Sequence, residues 1–556
     1  MKTGSRRILG MVMLMAVVAL MGMSAIGYGQ PYEPEHLWGR AGTVDQANFG
    51  HAIDGVGDQN GDGIEDFMIA TGGIPGDITT SFVELYFGGD PPDTIPDVLI
   101  ERWADTVWCG EVANVGDVNG DGGIDIAVSQ ARSFIWNKVA IYYGGSAFDT
   151  IPDIILNEPS AQYSDLYGYN IEGLGDVNGD GYDDIAVRAP NYPNMQGRGK
   201  VWIYFGGSPM DTIADWEKVG SNQSVFFGES IAGKGDLNGD GFDDFAIYEW
   251  TGYPELAYTT YYIFLGDAQL DTIPDLIIDG EELYPQIDIE NSSAIIANLN
   301  GDQYSDLIIA AASICIVFYG SESPDTELDL TLEGFQQISM WYGIDVASVG
   351  DVNNDGFDDI IAAQTQAYSY GGLVSVFLGN TWMDGQPAMQ WIGIFQPYEG
   401  AGKSLGDCGD VNGDGVDDIM FGSYHFDFNS YGRVDIWKGD TAFVVNVPEQ
   451  NPTLSPIRFQ LLPPYPNPFN SRVTIPFDLY PGGGDDISLV IYNVLGQEVA
   501  ELTDAVHDAL SHQPLGRFTV TWDGINRFGR IASSGIYLIA LRSGSTRQIQ
   551  KVLLLR

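Results

Sequence analysis

Short apolar runs broken by glycine, aspartate and asparagine recur along this chain in a fixed order. A glycine-rich run such as YGYNIEGLGD (Tyr167–Asp176) enters a polar loop, and an apolar run such as DIAVR (Asp184–Arg188) leaves it. A third run ends in glycine, in the forms VELYFGG, VAIYYGG, VWIYFGG, YYIFLGD, CIVFYGS, VSVFLGN and VDIWKGD. A fourth follows a turn, in DTIPDVLI, DTIPDIIL, DTIADWEK and DTIPDLII. Runs this short, bounded by turn residues and rich in β-branched and aromatic side chains, predict β-strands. No stretch sustains a helical apolar period. Four short strands per repeat, with turns between them, make one blade of a β-propeller.

The polar loops set the period. They read DQNGDGIED (Asp58–Asp66), DVNGDGGID (Asp117–Asp125), DVNGDGYDD (Asp176–Asp184), DLNGDGFDD (Asp236–Asp244), NLNGDQYSD (Asn298–Asp306), DVNNDGFDD (Asp351–Asp359) and DVNGDGVDD (Asp410–Asp418). Successive starts are separated by 59, 59, 60, 62, 53 and 59 residues, so one supersecondary unit is stacked or set in a ring. The fold expected is all-β: a seven-bladed β-propeller followed by a small Ig-like β-sandwich. The seventh repeat stops at its third strand, Val434–Lys438, while a spare strand precedes the first loop at His36–Gly42. The N-terminal segment is therefore expected to supply the missing strand, closing the ring and hiding its edges.

Each loop offers oxygen at positions 1, 3, 5 and 9. The metal-ligand candidates are Asp58, Asn60, Asp62 and Asp66; Asp117, Asn119, Asp121 and Asp125; Asp176, Asn178, Asp180 and Asp184. The later loops add Asp236, Asn238, Asp240 and Asp244; Asp351, Asn353, Asp355 and Asp359; and Asp410, Asn412, Asp414 and Asp418. Calcium takes roughly six to eight oxygens in flexible geometry, which closely spaced Asp and Asn provide. Glycine at position 6 allows the sharp turn around an ion. Position 7 varies, as expected where only its carbonyl is used. With neither sulfur nor imidazole in the loop, zinc and copper fit poorly. An EF-hand would need a later bidentate Glu and flanking helices, whereas strands follow here. Dockerin modules place such loops as a close pair on helices. The competing reading is an Asp/Asn/Gly hairpin turn without metal, which six near-identical copies disfavour. The fifth loop has Asn298 for the first Asp and Gln303 for the glycine. About six calcium ions are expected, with weak binding or none in the fifth loop.

Charge follows the repeats. The formal net charge of the chain is −53, yet residues 30–457 carry 12 basic and 69 acidic residues, while 458–556 are near neutral. Such a surface repels nucleic acid and anionic membranes. A hydrophobic content of 44% still supplies packed cores, so the acidity does not imply disorder. At the N-terminus, Lys2, Arg6 and Arg7 precede the apolar run Ile8–Met23 and then small residues. This is the form of a secretory signal peptide, residues 1–29, cleaved after Ala25 or near Gly29. The apolar run is short for a membrane anchor, and no other segment is long enough to span a bilayer. The three cysteines, Cys109, Cys315 and Cys408, lie in different repeats and form no disulfide scaffold.

From about residue 31 to 440 the repeats resemble the FG-GAP family, the repeats of the integrin α-chain propeller. The resemblance rests on Phe49-Gly50, Tyr167-Gly168, Phe227-Gly228 and Tyr342-Gly343, on the polar loop, and on the later aromatic–Gly-Gly. The second copy departs with Cys109-Gly110, and the fifth lacks the pair. The resemblance implies calcium loops between the first and second strands on one face, with ligands bound on the other. Opposite-face loops are rich in aromatics, and the ligand-binding candidates are Trp136, Tyr192, Trp250, Tyr253, Tyr370, Tyr424 and His425. The competing reading packs these rings between blades. A Pro-rich bridge, 447–464, leads to YPNPFN (Tyr465–Asn470), IYNVLGQEV, a W-D-G and SGIY. The segment 465–556 closely resembles the C-terminal sorting domain of bacterial type IX secretion; the alternative is an ordinary Ig-like appendage. The domains expected are thus 1–29, 30–446, 447–464 and 465–556. The resemblance implies export, release or attachment at the cell surface, and the type IX machinery as a partner.

There is no HExxH, GxSxG or P-loop, and no Cys/His pairing. Acid pairs such as Asp183-Asp184 already spend one member on the loop, so glycosidase chemistry has no independent support. The expectation is a non-catalytic, calcium-binding adhesion or binding module for a protein or glycan ligand. The alternative is a secreted polysaccharide-active hydrolase or lyase, since the propeller permits either.

Overall fold

The computed structural model describes residues 23–25, 35–42, 48–74, 77–101, 111–129, 138–145, 148–159, 165–193, 197–221, 224–251, 258–280, 293–311, 314–334, 345–365, 367, 371–381, 383, 385–393, 400–423, 432–443, 459–461, 464–479, 487–493, 498–503, 506–507, 516–527, 530–543 and 546–555. Two compact units divide the chain, Met1–Asn446 and Val447–Arg556.

Among the described residues the first unit holds seven antiparallel sheets. In the first, Phe49–Gly57, Asp66–Ile74, Asp77–Tyr86 and Val98–Glu101 pair in chain order. The third is Asn170–Gly175, Asp184–Ala189, Lys200–Tyr204 and Trp216–Val219, and the second, fourth and fifth follow the same plan. The sixth, Asp345–Ser348 to Met389–Gly393, gains a fifth strand from Met23–Ala25. The first strand of each sheet lies beside the first strand of the next, and the seventh returns to the first. Each sheet is therefore one blade, with its first strand at the centre of a closed ring.

The apolar runs are buried on both faces because each blade is sandwiched between two others. In blade 2, Ile126 and Val128 join Val56, Met68 and Val83 of blade 1 in one core. Ala127, between them, joins Ile171, Ile185 and Trp202 of blade 3 in another. Alternate side chains point to opposite faces, so a run such as DIAVS serves two cores and shows no polar alternation.

Ring closure uses the N-terminal strand. His36–Ala41 pairs antiparallel with Arg433–Trp437, as the outermost strand beyond Ile419–Ser423 and Ala401–Asp407. Trp38, 2% exposed, packs between Ile436 of its own blade and Phe67 and Tyr86 of blade 1. Its indole N–H donates to the Asp93 carbonyl of blade 1 at 2.5 Å. Arg40 reaches the Glu84 carboxylate of blade 1 at 2.5 Å, and His36 meets buried Asp435 at 2.7 Å.

The second unit has a three-stranded sheet, Phe459–Leu461, Val473–Leu479 and Gly516–Trp522, and a four-stranded one, Glu498–Glu501, Ile487–Asn493, Gly535–Ser543 and Thr546–Leu554. One core, including Phe469, Ile475, Leu489, Trp522 and Ile539, is shared by both, which makes a sandwich. Its first strand lies inside the stretch read as bridge, 447–464. Three residues are too few to display alternation, and the prolines beside them mask the strand.

Replacing Trp38 by Ala should cost about 3–5 kcal/mol, since it empties a buried site and removes an inter-blade bond. Chemical denaturation should show a lowered midpoint for the first unit, with the second unit unchanged.

Candidate cation loops and the aromatic face

Each loop is wound by hydrogen bonds to its first residue, an aspartate in all but the fifth, and to its last acid. In the first, Asp58 Oδ1 accepts the N–H of Gly61 at 2.7 Å, and Oδ2 accepts that of Gly63 at 2.7 Å. Position 3 repeats the pattern, the Asn60 oxygen accepting the Asp62 N–H at 2.8 Å. Position 6 holds φ between 89° and 93° in six loops, where glycine alone is unstrained. Nothing lies within 4 Å of a Cβ built there, so the backbone angle and not crowding selects the glycine.

Position 9 has a second task that its reading as a ligand missed. Asp66, Asp125, Asp184, Asp244, Asp306, Asp359 and Asp418 are each 0% exposed. Asp184 accepts the Val177 N–H at 3.1 Å with one oxygen and the Gly206 N–H at 2.9 Å with the other. The same two bonds recur at Asp66, Asp125, Asp244, Asp306 and Asp359. In the last loop the Asn412 amide takes the place of the first N–H. The aspartate thereby ties the loop to the end of the third strand. Burial first, and then the carboxylates at positions 5 and 1, Asp180 and Asp176, raise Asp184 to about 8 against the lowering pull of its two N–H bonds. The loop is short of positive charge.

Position 8 latches neighbouring blades. Asp183 accepts the N–H of Asp117, the first residue of the preceding loop, at 2.7 Å, and its own N–H returns to the Asp117 carbonyl at 3.2 Å. Asp243 to Asp176, Asp358 to Asn298 and Asp417 to Asp351 repeat the carboxylate bond at 2.9, 2.9 and 2.8 Å. The Asp-Asp pair at the loop end thus divides its work: one pins the blade, the other its neighbour. Position 7 also does more than lend a carbonyl. Phe242 lies against Gly179 of the preceding loop, where an added Cβ would come within 2.3 Å of its ring.

Oxygen donors alone line these loops, which fits a hard cation. Among the described residues no three His, Cys, Asp or Glu side chains gather closely enough to hold an ion by themselves. A bound ion would draw on the Asn oxygen and a backbone carbonyl as well. The fifth loop differs in kind: the Asn298 amide donates to the Asp302 carbonyl at 2.8 Å, placing a donor where the other loops present a carboxylate oxygen.

The ring centre gathers further acids. Asp54, Glu111 and Glu172, from blades 1, 2 and 3, sense one another and Lys234 of blade 4, which bonds the Asn114 carbonyl at 2.8 Å. Water still touches these acids, but protein crowds them. Burial lifts Asp54 to about 6, Glu111 to about 7 and Glu172 to about 8, against the lowering pull of lysine.

On the opposite edge two of the aromatic candidates are described. Tyr192 stands edge-on to Trp202 at 5.8 Å and packs on the core between blades 2 and 3. Trp250 stacks on Phe226 at 5.5 Å and packs on the core between blades 4 and 5. Trp136, Tyr253, Tyr370, Tyr424 and His425 lie outside the described residues.

A folded-state pKa raised above the unfolded value means the native chain binds the extra proton, so stability falls as pH rises between the two values. The Glu172→Gln variant should therefore lose less stability than the unaltered chain between about pH 5 and pH 8. Denaturant titrations at the two pH values, in the presence of EDTA, measure the difference. Equal slopes would contradict it.

Comparison with known proteins agrees with this geometry. The FG-GAP repeat model matches residues 168–204, and the model of the secretion system C-terminal sorting domain matches 464–513. Integrin alpha-5 of Xenopus laevis is 28% identical over 251 residues, 42% of this chain and 23% of that protein. Integrin alpha-6 of Gallus gallus is 39% identical over 144 residues, 24% of this chain and 12% of that protein. The chain thus spans less than a quarter of the length of either relative. The solved structure of PorZ, a surface component of the type IX secretion system of Porphyromonas gingivalis, aligns with 88% of this chain and 58% of its own. Its identity is 11% and its TM-score 0.32, too low to speak for a shared fold. The chain carries an FG-GAP repeat region similar to that of integrin α-chains and a type IX sorting tail, which marks a bacterial protein secreted or attached at the cell surface.

Proposed function

We propose that the chain is a calcium-stabilised, non-catalytic binding module that engages a protein or glycan ligand at the bacterial surface. What carries the reading is the oxygen-only loop, repeated around the ring with buried carboxylates such as Asp184, which burial and neighbouring acids raise; among the described residues the last loop alone sets a lysine, Lys438, against Asp414. In the third loop Asp176, Asn178, Asp180 and Asp184 would hold the ion, together with the Tyr182 carbonyl. The ion would supply charge neutralisation, not chemistry. Position 9 already bonds two N–H groups, so binding there would brace the joint between loop and third strand.

The acids that might have served as catalysts are occupied structurally. Asp183 and Asp184 each accept backbone N–H bonds, and His36 is committed to Asp435 at the closing seam. Ligand recognition falls to the edge opposite the loops, where integrin-like repeats present their variable connections. Two of its aromatics, Tyr192 and Trp250, pack on blade cores, which suits them as rigid walls for a ligand.

Calorimetric titration should count about six calcium ions on the unaltered chain. The double variant Asn298→Asp with Gln303→Gly should raise the count by one, because it restores the first carboxylate and the turn glycine together. Two or fewer ions would sink the calcium reading. Ligand class is tested on glycan arrays, with reducing-sugar release measured in parallel. Binding without release is the expected result, and sugar release would replace the module by an enzyme.

A further inference from the structure

Four isoleucines stand out in water at equivalent places. Ile95, Ile151, Ile213 and Ile273 are 71%, 70%, 71% and 71% exposed, each in the turn between the third and fourth strands of blades 1 to 4. In an antiparallel sheet taken in chain order, that turn lies on the same edge as the cation loop. The four side chains therefore form an arc along consecutive blades, on the edge away from the aromatic loops.

The turns are rigid without help from the isoleucines. Each isoleucine N–H bonds the carboxylate two residues before it, at 2.7, 2.7, 2.7 and 2.6 Å. The aspartate two residues after it accepts the N–H at the end of the third strand at 2.8, 2.8, 2.9 and 2.9 Å. Blade 5 builds the same turn around Glu327, whose N–H bonds Asp325 at 2.7 Å while Asp329 accepts the Tyr319 N–H at 2.8 Å. After the third strand of blade 7, Ala442 makes the same short turn on Asp440 at 2.7 Å. The fold accepts glutamate or alanine here, so folding does not explain four exposed isoleucines.

We propose that Ile95, Ile151, Ile213 and Ile273 are the apolar contacts of a docking arc for a protein partner whose surface sets apolar side chains among lysines and arginines. Charge chooses that partner. Every isoleucine lies between two exposed aspartates, in a region with 69 acidic and 12 basic residues. A second copy of this chain and an anionic membrane are both repelled by such a surface. The preset turns lower the ordering cost of association, and four contacts on one rigid ring act together.

The test uses the full chain in calcium buffer. The probe is a synthetic peptide of alternating leucine and lysine, with an alternating leucine–glutamate peptide and phosphatidylcholine vesicles as comparisons. Fluorescence anisotropy should show binding of the leucine–lysine peptide alone. Changing all four isoleucines to Ser should weaken it at least about a hundredfold, on the order of tenfold for each apolar contact less some non-additivity. Thermal unfolding of that variant should coincide with the unaltered chain. The Glu327→Ile variant should bind more tightly than Glu327→Gln, which matches its charge without the apolar group. This arm decides the matter if the serine variant misfolds. Unchanged affinity in the serine variant, or equal affinity of the two glutamate variants, overturns the arc. Vesicle binding lost with the isoleucines replaces the protein partner by a lipid surface and overturns it as well.

Discussion

An aspartate with no exposed surface needs partners for both of its oxygens, and each blade supplies them from two places. In six blades one N–H comes from the loop's second residue, in the seventh from the Asn412 amide, and the other always comes from the glycine that follows the third strand. A carboxylate buried without such bonds would be costly by several kcal/mol, on the order of the penalty for any uncompensated buried charge. The loop cannot move away from its blade without opening them. In four blades an aspartate at the previous position then joins that loop to the one before it. Sequential blades are thus fixed by hydrogen bonds at their rim as well as by side chains in their cores.

The cores explain why the bonds at the rim can be regular. Each second strand divides its residues between two interfaces, as Ile126, Ala127 and Val128 do. Neighbouring blades must keep one spacing and one angle for both interfaces to fill. Small residues face the tighter contacts and aromatic ones the wider, so Trp202 and Tyr204 stand on the outer half of blade 3 while Gly173 meets the backbone of blade 2.

The repeat was plain in the sequence because loop and strands recur with the same polar signature. Ring closure was equally legible: a repeat lacking its fourth strand and a strand lacking a repeat stand at opposite ends of the region. Less was legible where one residue type does two jobs. Asp183 and Asp184 look alike in the chain, and only the neighbouring blade distinguishes the latch from the pin. Position 7 seemed free to vary because its partner, Gly179 for Phe242, sits one repeat away. The strand at Phe459–Leu461 hid among prolines. Tyr192 and Trp250 show why aromatic loops are hard to interpret: one ring can belong to a core and still border a surface.

His36 and its partner Trp437 are separated by almost the whole repeat region, and this shapes how the ring is made. The strand His36–Ala41 finds its sheet partner only in the last blade. Such a topology has a high contact order and closes late.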